Sequence, residues 1–225
     1  MKIGLVGLGR MGAAMSQRLR EQGFDVVGWD QNQSTNDVLA KVGLRIAANA
    51  RAVAAEAEIV ISIITEDHGV RRLFTGPEGF LTADVEGKLF IDMSTLQPMT
   101  GREIAPIVEA KGARLIESPV LGTIPQVRDG KLLALVGGRT EDIERARPVL
   151  EKLTRRIVYM GPNGSGYAMK LAVNLGLGAY IQALAEALAL GVKQGLALDQ
   201  MLEVLQESSI ASRWLANKVG VLKGA

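Results

Sequence analysis

From Lys2 to Met160, short apolar runs alternate with stretches whose apolar residues recur at helical spacing; beyond that the spacing is helical only. Lys2 to Val6 is a β-rich run, followed by Met11, Met15 and Leu19 at intervals of four, which predicts a helix that Gly23 stops. Val26 to Trp29 reads as the second strand. Strand, helix and strand within about 30 residues make a βαβ unit. The alternation continues with helices over Thr35 to Val42 and Ala48 to Ala57 and a strand over Ile59 to Ile64. Then come a strand at Leu89 to Met93, a helix from Gln97 to Lys111 with Pro98 in its first turn, and strands at Ala113 to Glu117 and Leu132 to Val136. Thr140 to Leu153 reads as a helix and Ile157 to Met160 as the last strand. This order predicts a parallel sheet with helices on both faces. One long helix is expected from Gly166 to about Gln194, weakened locally by Gly176 and Gly178 and ended by Gly195. Helices at Asp199 to Glu207 and Ala211 to Val219 follow. The fold expected is therefore α/β: a doubly wound parallel sheet over residues 1–163, then an all-helical region over 164–225 that the long helix joins to it.

Composition narrows the function more than the fold. The 225 residues are 48% hydrophobic and 22% charged, as in an ordinary soluble globular protein. A net charge of +2 gives no reason to expect nucleic acid or an anionic membrane as partner. The pairs Arg71-Arg72 and Arg155-Arg156 read as solvated surface. The absence of cysteine excludes disulfides, thiolate metal sites and a Cys nucleophile, and fits a cytoplasmic protein. With His68 the only histidine, no metal site is expected, and His68 itself reads as a surface loop residue. The N-terminal apolar run ends in a glycine motif and Arg10, without a cleavage site. Lys170, Asn174, Gln182 and Glu186 interrupt the apolar region 167–192, so no stretch is expected to reach the ~20 apolar residues of a membrane span.

Gly7, Gly9 and Gly12 form G-x-G-x-x-G between the first strand and its helix. The first glycine permits a tight turn, the second lets backbone approach a pyrophosphate, and the third lets helix and strand pack closely. The helix N-terminus adds free N–H groups and the positive end of its dipole. Asp30 ends the second strand, where an acid can bond a ribose 2′-hydroxyl. Gly7, Leu8, Gly9, Arg10, Met11, Gly12 and Asp30 are thus the expected dinucleotide contacts, joined by Ile64 and Thr65 at the end of a later strand. Asp30 repels a 2′-phosphate, and Gln31-Asn32-Gln33 bring no Arg to offset it, so NAD is favoured over NADP.

Lys170 and Asn174 stand four apart at the start of the long helix, on one face of it. Amid Tyr167, Met169, Leu171 and Val173 the lysine is a candidate for a depressed pKa, and hence for proton exchange at working pH. Snorkelling to water is the competing role for Lys170, and helix packing for Asn174. Ser94 and Thr95 can equally cap the helix near Gln97.

Four blocks in order resemble the β-hydroxyacid dehydrogenase family, which includes 3-hydroxyisobutyrate dehydrogenase and the glyoxylate, succinic semialdehyde and tartronate semialdehyde reductases. They are Gly7-Leu8-Gly9-Arg10-Met11-Gly12-Ala13-Ala14-Met15, Asp92-Met93-Ser94-Thr95, Glu117-Ser118-Pro119-Val120-Leu121-Gly122-Thr123, and Gly164 to Asn174. The last block resembles the family's G-x-G-x-x-x-K-x-x-x-N. The resemblance implies a Rossmann-type domain and a hydride transfer between a nicotinamide cofactor and a small carboxylate substrate. Lys170 would be the catalytic acid/base, Asn174, Thr95 and Gly122 would bind substrate, and Thr95 would also lie by the nicotinamide. Leu121 stands where the family usually has Ser, and Thr123 where it has Gly; the Thr123 hydroxyl is expected to take over the carboxylate contact. Members usually continue for several dozen residues past the position of Ala225, so the helical domain is expected to be incomplete. Imine reductases share the architecture but usually replace the lysine; a non-catalytic dinucleotide-binding protein is the reading from another class. The apolar faces of the long helix predict a homodimer or homotetramer.

Overall fold

β1 (Lys2–Val6) has four of its five residues buried, as a parallel strand covered on both faces requires. In the computed structural model, which describes residues 1–224, α1 (Arg10–Glu21) follows and buries Gly12, Ala14, Met15, Ser16 and Leu19. Next come β2 (Asp25–Trp29) and α2 (Gln33–Lys41), whose N-cap Asn32 accepts from the Ser34 amide. β3 (Arg45–Ile46), α3 (Ala50–Glu56), β4 (Ile59–Ser62), α4 (Asp67–Thr75), a 3-10 turn at Phe80–Thr82, β5 (Leu89–Asp92) and α5 (Pro98–Glu109) continue the series. β6 (Arg114–Glu117), β7 (Val120–Leu121), α6 (Ile124–Arg128), β8 (Leu132–Gly137), α7 (Thr140–Leu153) and β9 (Thr154–Gly161) complete the sheet region. α8 (Ser165–Lys193), α9 (Leu198–Glu207) and α10 (Arg213–Leu222) are the helices beyond it. Chain contacts divide the molecule into two compact units, residues 1–172 and the chain from Val173 onward.

The sheet order is β3-β2-β1-β4-β5-β6-β8-β7, with β9 paired to β8. Strands β1 to β6 are parallel, as expected, but β8 runs antiparallel to both β6 and β7. The reversal follows from the short Val120–Leu121 strand and α6, which return the chain along the sheet edge without a full crossover. Strand alternation sends side chains to two apolar clusters. On one face Ile3, Leu5 and Ile61 pack with Met15 and Leu19 of α1 and Ile143 and Val149 of α7. On the other, Val60 and Phe90 pack with Val53 of α3, Val70 of α4 and Ile104 of α5. Phe74, Phe80 and Phe90 form a fully buried trio with ring centroids 5.1–5.3 Å apart.

Two local expectations change. His68 lies in the first turn of α4, exposed, not in a loop. Val70, Leu73 and Phe74 bury the inner face of that helix, a spacing that Arg71-Arg72 obscure in the sequence. Those arginines lie at the surface, as expected, and Arg71 also bonds Glu103 at 2.7 Å and Thr100 at 3.0 Å, tying α4 to α5. And α8, at 29 residues with mean hydropathy 1.5 in its most apolar window, is long and apolar enough to cross a membrane by length and composition. The expectation of no such stretch is corrected, because the interrupting Asn174 and Gln182 carry no charge and leave residues 171–185 without Asp, Glu, Lys or Arg.

In the second unit, Leu184, Leu202 and Leu215 form a small core, and the rings of Tyr180 and Trp214 meet edge to face at 6.1 Å. Leu175, Leu190 and Val204 are among its exposed apolar residues.

Phe90→Ala should lower the unfolding free energy by about 3–5 kcal/mol, since it empties the centre of the aromatic trio. Urea denaturation of the two proteins measures it, and a loss under about 1 kcal/mol would show that the trio does not organise this face.

Candidate active site

Gly7 ends β1 with φ of 89°, a conformation that glycine adopts without strain. A Cβ on it would run into the Ile63 carbonyl, and one on Gly12 into the Gly7 carbonyl, so the loop is drawn tight against β4. Gly9 is the opposite case. It is exposed, open space lies where its Cβ would be, and it heads α1 with no side-chain cap. The first-turn N–H groups are thus left without a side-chain acceptor, which suits a pyrophosphate. Leu8 is buried, Met11 packs against the core, and Arg10 is exposed beside the loop. The loop also lies at the topological switch, where β1 has β2 on one side and β4 on the other.

Asp30 follows β2, and its carboxylate reaches back to the loop: Oδ2 accepts from the Leu8 amide at 2.6 Å and Oδ1 from the Asn32 amide at 2.8 Å. The buried Asn36 side chain clamps the Asp30 backbone, accepting from its N–H at 2.9 Å and donating to its carbonyl at 2.8 Å. Each carboxylate oxygen keeps a lone pair for a ribose hydroxyl. The residues present therefore fit a dinucleotide. The next residue, Gln31, accepts from the Arg72 guanidinium at 3.2 Å, so α4 brings a cation beside Asp30.

The loops after β4 and β5 meet at a buried acid. Asp92 Oδ2 accepts from the hydroxyls of Ser62 at 2.5 Å and Ser94 at 3.2 Å, while Oδ1 accepts from the Ser94 amide at 3.0 Å and Tyr167 at 2.8 Å. Burial pushes the Asp92 carboxyl up, and these hydrogen bonds oppose the shift. The Ser94 hydroxyl in turn accepts from the Ile64 amide at 3.0 Å, fixing the loop that carries Ile64 and Thr65. Thr65 and Thr95 are exposed at this edge. Neither Ser94 nor Thr95 caps α5. That role falls to Asp67, which accepts from the Gln97 amide at 3.0 Å and from the Thr100 hydroxyl.

Lys170 lies half-buried in the second turn of α8, and its Nζ donates to the Val120 carbonyl at 2.8 Å. Burial lowers its pKa from the ordinary lysine value. The first turn of α8 is held by Glu117, whose Oε1 accepts from the Gly166 amide at 2.7 Å. Glu117 is fully buried, its Oε2 has no partner among the described residues, and burial raises its pKa to about 7. Past Val120, Leu121 is half-buried, and Gly122 and Thr123 are exposed. The Thr123 amide donates to Gln126 Oε1 at 2.7 Å and its hydroxyl lies 3.2 Å from the same atom, so Thr123 is engaged at the start of α6. Asn174, exposed, belongs to the second unit. The first unit thus places Gly7 to Gly12, Asp30, Ile64, Thr65, Thr95, Gly122, Thr123 and Lys170 on loops and helix starts beyond the carboxyl ends of its strands.

Four supporting residues escaped the sequence reading: Asn36, Arg72, Glu117 and Tyr167. A signal existed for one of them. The apolar strand Leu115-Ile116 ends in Glu117, just as Phe90-Ile91 ends in Asp92.

Residues 2–161 match the model of the NAD binding domain of 6-phosphogluconate dehydrogenase. Residues 164–225 match the NAD-binding region of NADP-dependent 3-hydroxyisobutyrate dehydrogenase. A 3-hydroxyisobutyrate dehydrogenase of Pseudomonas aeruginosa is 39% identical over 96% of this chain and 72% of its own. The chain belongs to the β-hydroxyacid dehydrogenase family. Glyoxylate/succinic semialdehyde reductase 1 of Arabidopsis thaliana is 32% identical over 97% of this chain and 75% of its own. Among solved structures, a Mycobacterium tuberculosis 3-hydroxyisobutyrate dehydrogenase with L-serine superposes at a TM-score of 0.85, with 33% identity over 95% of this chain and 72% of that one. Membership carries nicotinamide dinucleotide binding and oxidoreductase chemistry on small substrates.

The Glu117 carboxyl has a pH signature. Folding raises its pKa from 4.5 to about 7, so the folded state keeps a proton that the unfolded chain releases. Its contribution to stability is present in full below pH 4.5 and is lost as pH rises through about 7, a change of roughly 3 kcal/mol. Glu117→Gln should remove that slope. Urea midpoints measured from pH 4.5 to 8 test this, and parallel curves for the two proteins would refute it.

Proposed function

We propose that this chain interconverts a small β-hydroxyacid and its carbonyl counterpart, a semialdehyde or glyoxylate-type acid, with Lys170 as general acid/base. The observation that carries the reading is the Lys170 ammonium, half-buried, lowered in pKa by burial and held on the Val120 carbonyl within the unit that also carries the glycine loop. When bound, a nicotinamide supplies or accepts the hydride. The chain's own residues do the rest. The glycine loop and the α1 N-terminus bind the pyrophosphate, and Asp30 takes the ribose hydroxyls. Ser94 holds the Ile64–Thr65 loop in place. In the reductive direction Lys170 Nζ gives a proton to the substrate oxygen, and in the oxidative direction it takes one back. While charged, it also stabilises negative charge developing on that oxygen. Gly122 and Thr123 follow the Val120–Leu121 strand and are the proposed carboxylate contacts.

For cofactor choice we favour NAD. The Asp30 carboxylate repels a 2′-phosphate, and the Arg72 guanidinium beside it is already donating to Gln31. The names of the relatives support the substrate class and leave the individual compound to experiment.

Two measurements check this reading. Lys170→Ala should cut turnover about 10²–10⁴-fold while NADH still binds, in assays against glyoxylate, succinic semialdehyde, tartronate semialdehyde and methylmalonate semialdehyde; retained turnover excludes the lysine from proton transfer. Asp30→Ser should raise the ratio of kcat/KM for NADPH over NADH at least about tenfold, and an unchanged ratio would remove Asp30 as the discriminating group.

A further inference from the structure

Two hydrogen bonds join the same two segments of the first unit. The Gly166 amide donates to Glu117 Oε1 at 2.7 Å, and Lys170 Nζ donates to the Val120 carbonyl at 2.8 Å. Residues 117–120 therefore meet residues 166–170 twice, about one helical turn apart. The first contact fixes where α8 begins, and the second is where that placement reaches the lysine.

The surroundings of Glu117 are shaped to this side chain. A Cβ on Gly137 of β8 would overlap Oε1. One on Gly101 of α5 would stand 2.8 Å from Oε2, and one on Gly166 would stand 3.3 Å from Cγ. Three separate elements thus place glycine against one buried acid. Packing alone does not call for an acid here, since an unpaired buried carboxylate oxygen is unfavourable and Oε2 has no partner.

We propose that Glu117 is a positioning residue for proton transfer: ionised, it fastens the first turn of α8 to the end of β6 and so sets the position of Lys170 Nζ. The inference rests on the acid/base reading of Lys170. A carboxylate at a helix N-terminus accepts charge-assisted bonds from N–H groups and complements the helix dipole. The neutral acid loses that charge and holds the Gly166 amide less strongly. Few charged groups face it. From β5, Asp92 opposes its ionisation; from α8, Tyr167 has its hydroxyl committed to Asp92, and Lys170 lies one turn on with Nζ at Val120. α5 and β8 present Gly101 and Gly137, and the neighbouring Arg102 is exposed and lies against Gly164. With its pKa raised to about 7, the clamp changes state in the neutral range. The ionised form that disfavours folding is the form that holds the helix.

The test is the single-turnover rate of NADH oxidation, from pH 5.5 to 9, with the best aldehyde of the panel above. The wild-type rate should rise as Glu117 ionises near pH 7. Glu117→Gln should lose that acidic limb and fall roughly tenfold to a hundredfold below the wild-type plateau, with NADH affinity within about twofold. An acidic limb that persists unchanged in Glu117→Gln, or a variant at the wild-type plateau, overturns the proposal. Lys170→Ala separates the two claims: if it keeps turnover, the lysine reading itself fails, whereas a dead Lys170→Ala beside an unaltered Glu117→Gln sinks the clamp alone. Should Glu117→Gln not fold, hydrogen exchange of the wild-type Gly166 amide decides. Corrected for intrinsic rate, protection should increase from pH 6 to pH 8, and constant protection refutes the clamp.

Discussion

A buried side chain, Asp92, holds one end of the sheet together. It collects hydroxyl donors from β4, from its own loop and from α8, together with one amide. An isolated buried charge is strongly unfavourable, and removing one partner of a satisfied one leaves the remainder uncompensated. The loops that carry Ile64, Thr65 and Thr95 and the start of the helix that carries Lys170 are therefore tied to one atom pair. Movement of any of these elements would break a bond to that acid, and this couples those loops to the start of α8 within the first unit.

What could be read from the residues alone was what is local. The glycine loop, Asp30 at a strand end, the strand–helix alternation and a lysine in an apolar helix start are each encoded within a few residues, so spacing reveals them. The helix at residues 67–75 leaves no clear pattern in the sequence, because two arginines mask a three-residue apolar face. The antiparallel return of β7 and β8 depends on pairing across the sheet edge, which no local pattern states. Asn36 on Asp30, Arg72 on Gln31 and Glu117 on Gly166 are contacts between residues far apart in sequence or on different elements. Their side chains look like ordinary surface polar residues until folding buries or pairs them. The contacts of Thr123 with Gln126, three residues on, place it at the start of α6, and no spacing in the sequence states them.

The two units differ in how they are stabilised. The first has an apolar cluster on each face of its sheet. The second has three buried leucines and an edge-to-face Tyr–Trp pair, with many apolar side chains left in solvent.

The bond from Lys170 to the Val120 carbonyl also bears on handedness. An ammonium has three N–H donors, and one of them is spoken for. In the proposed role, rotation about the Cε–Nζ bond is thereby restricted, and the proton leaves along one of two remaining directions. That anchors the oxygen of a bound carbonyl, but exchanging the two substituents on its carbon would still present the opposite face to the same hydride. In the proposed role the main-chain carbonyl of Val120 would therefore fix where the oxygen sits, and the groups that hold the carboxylate would decide the enantiomer of a chiral hydroxyacid product.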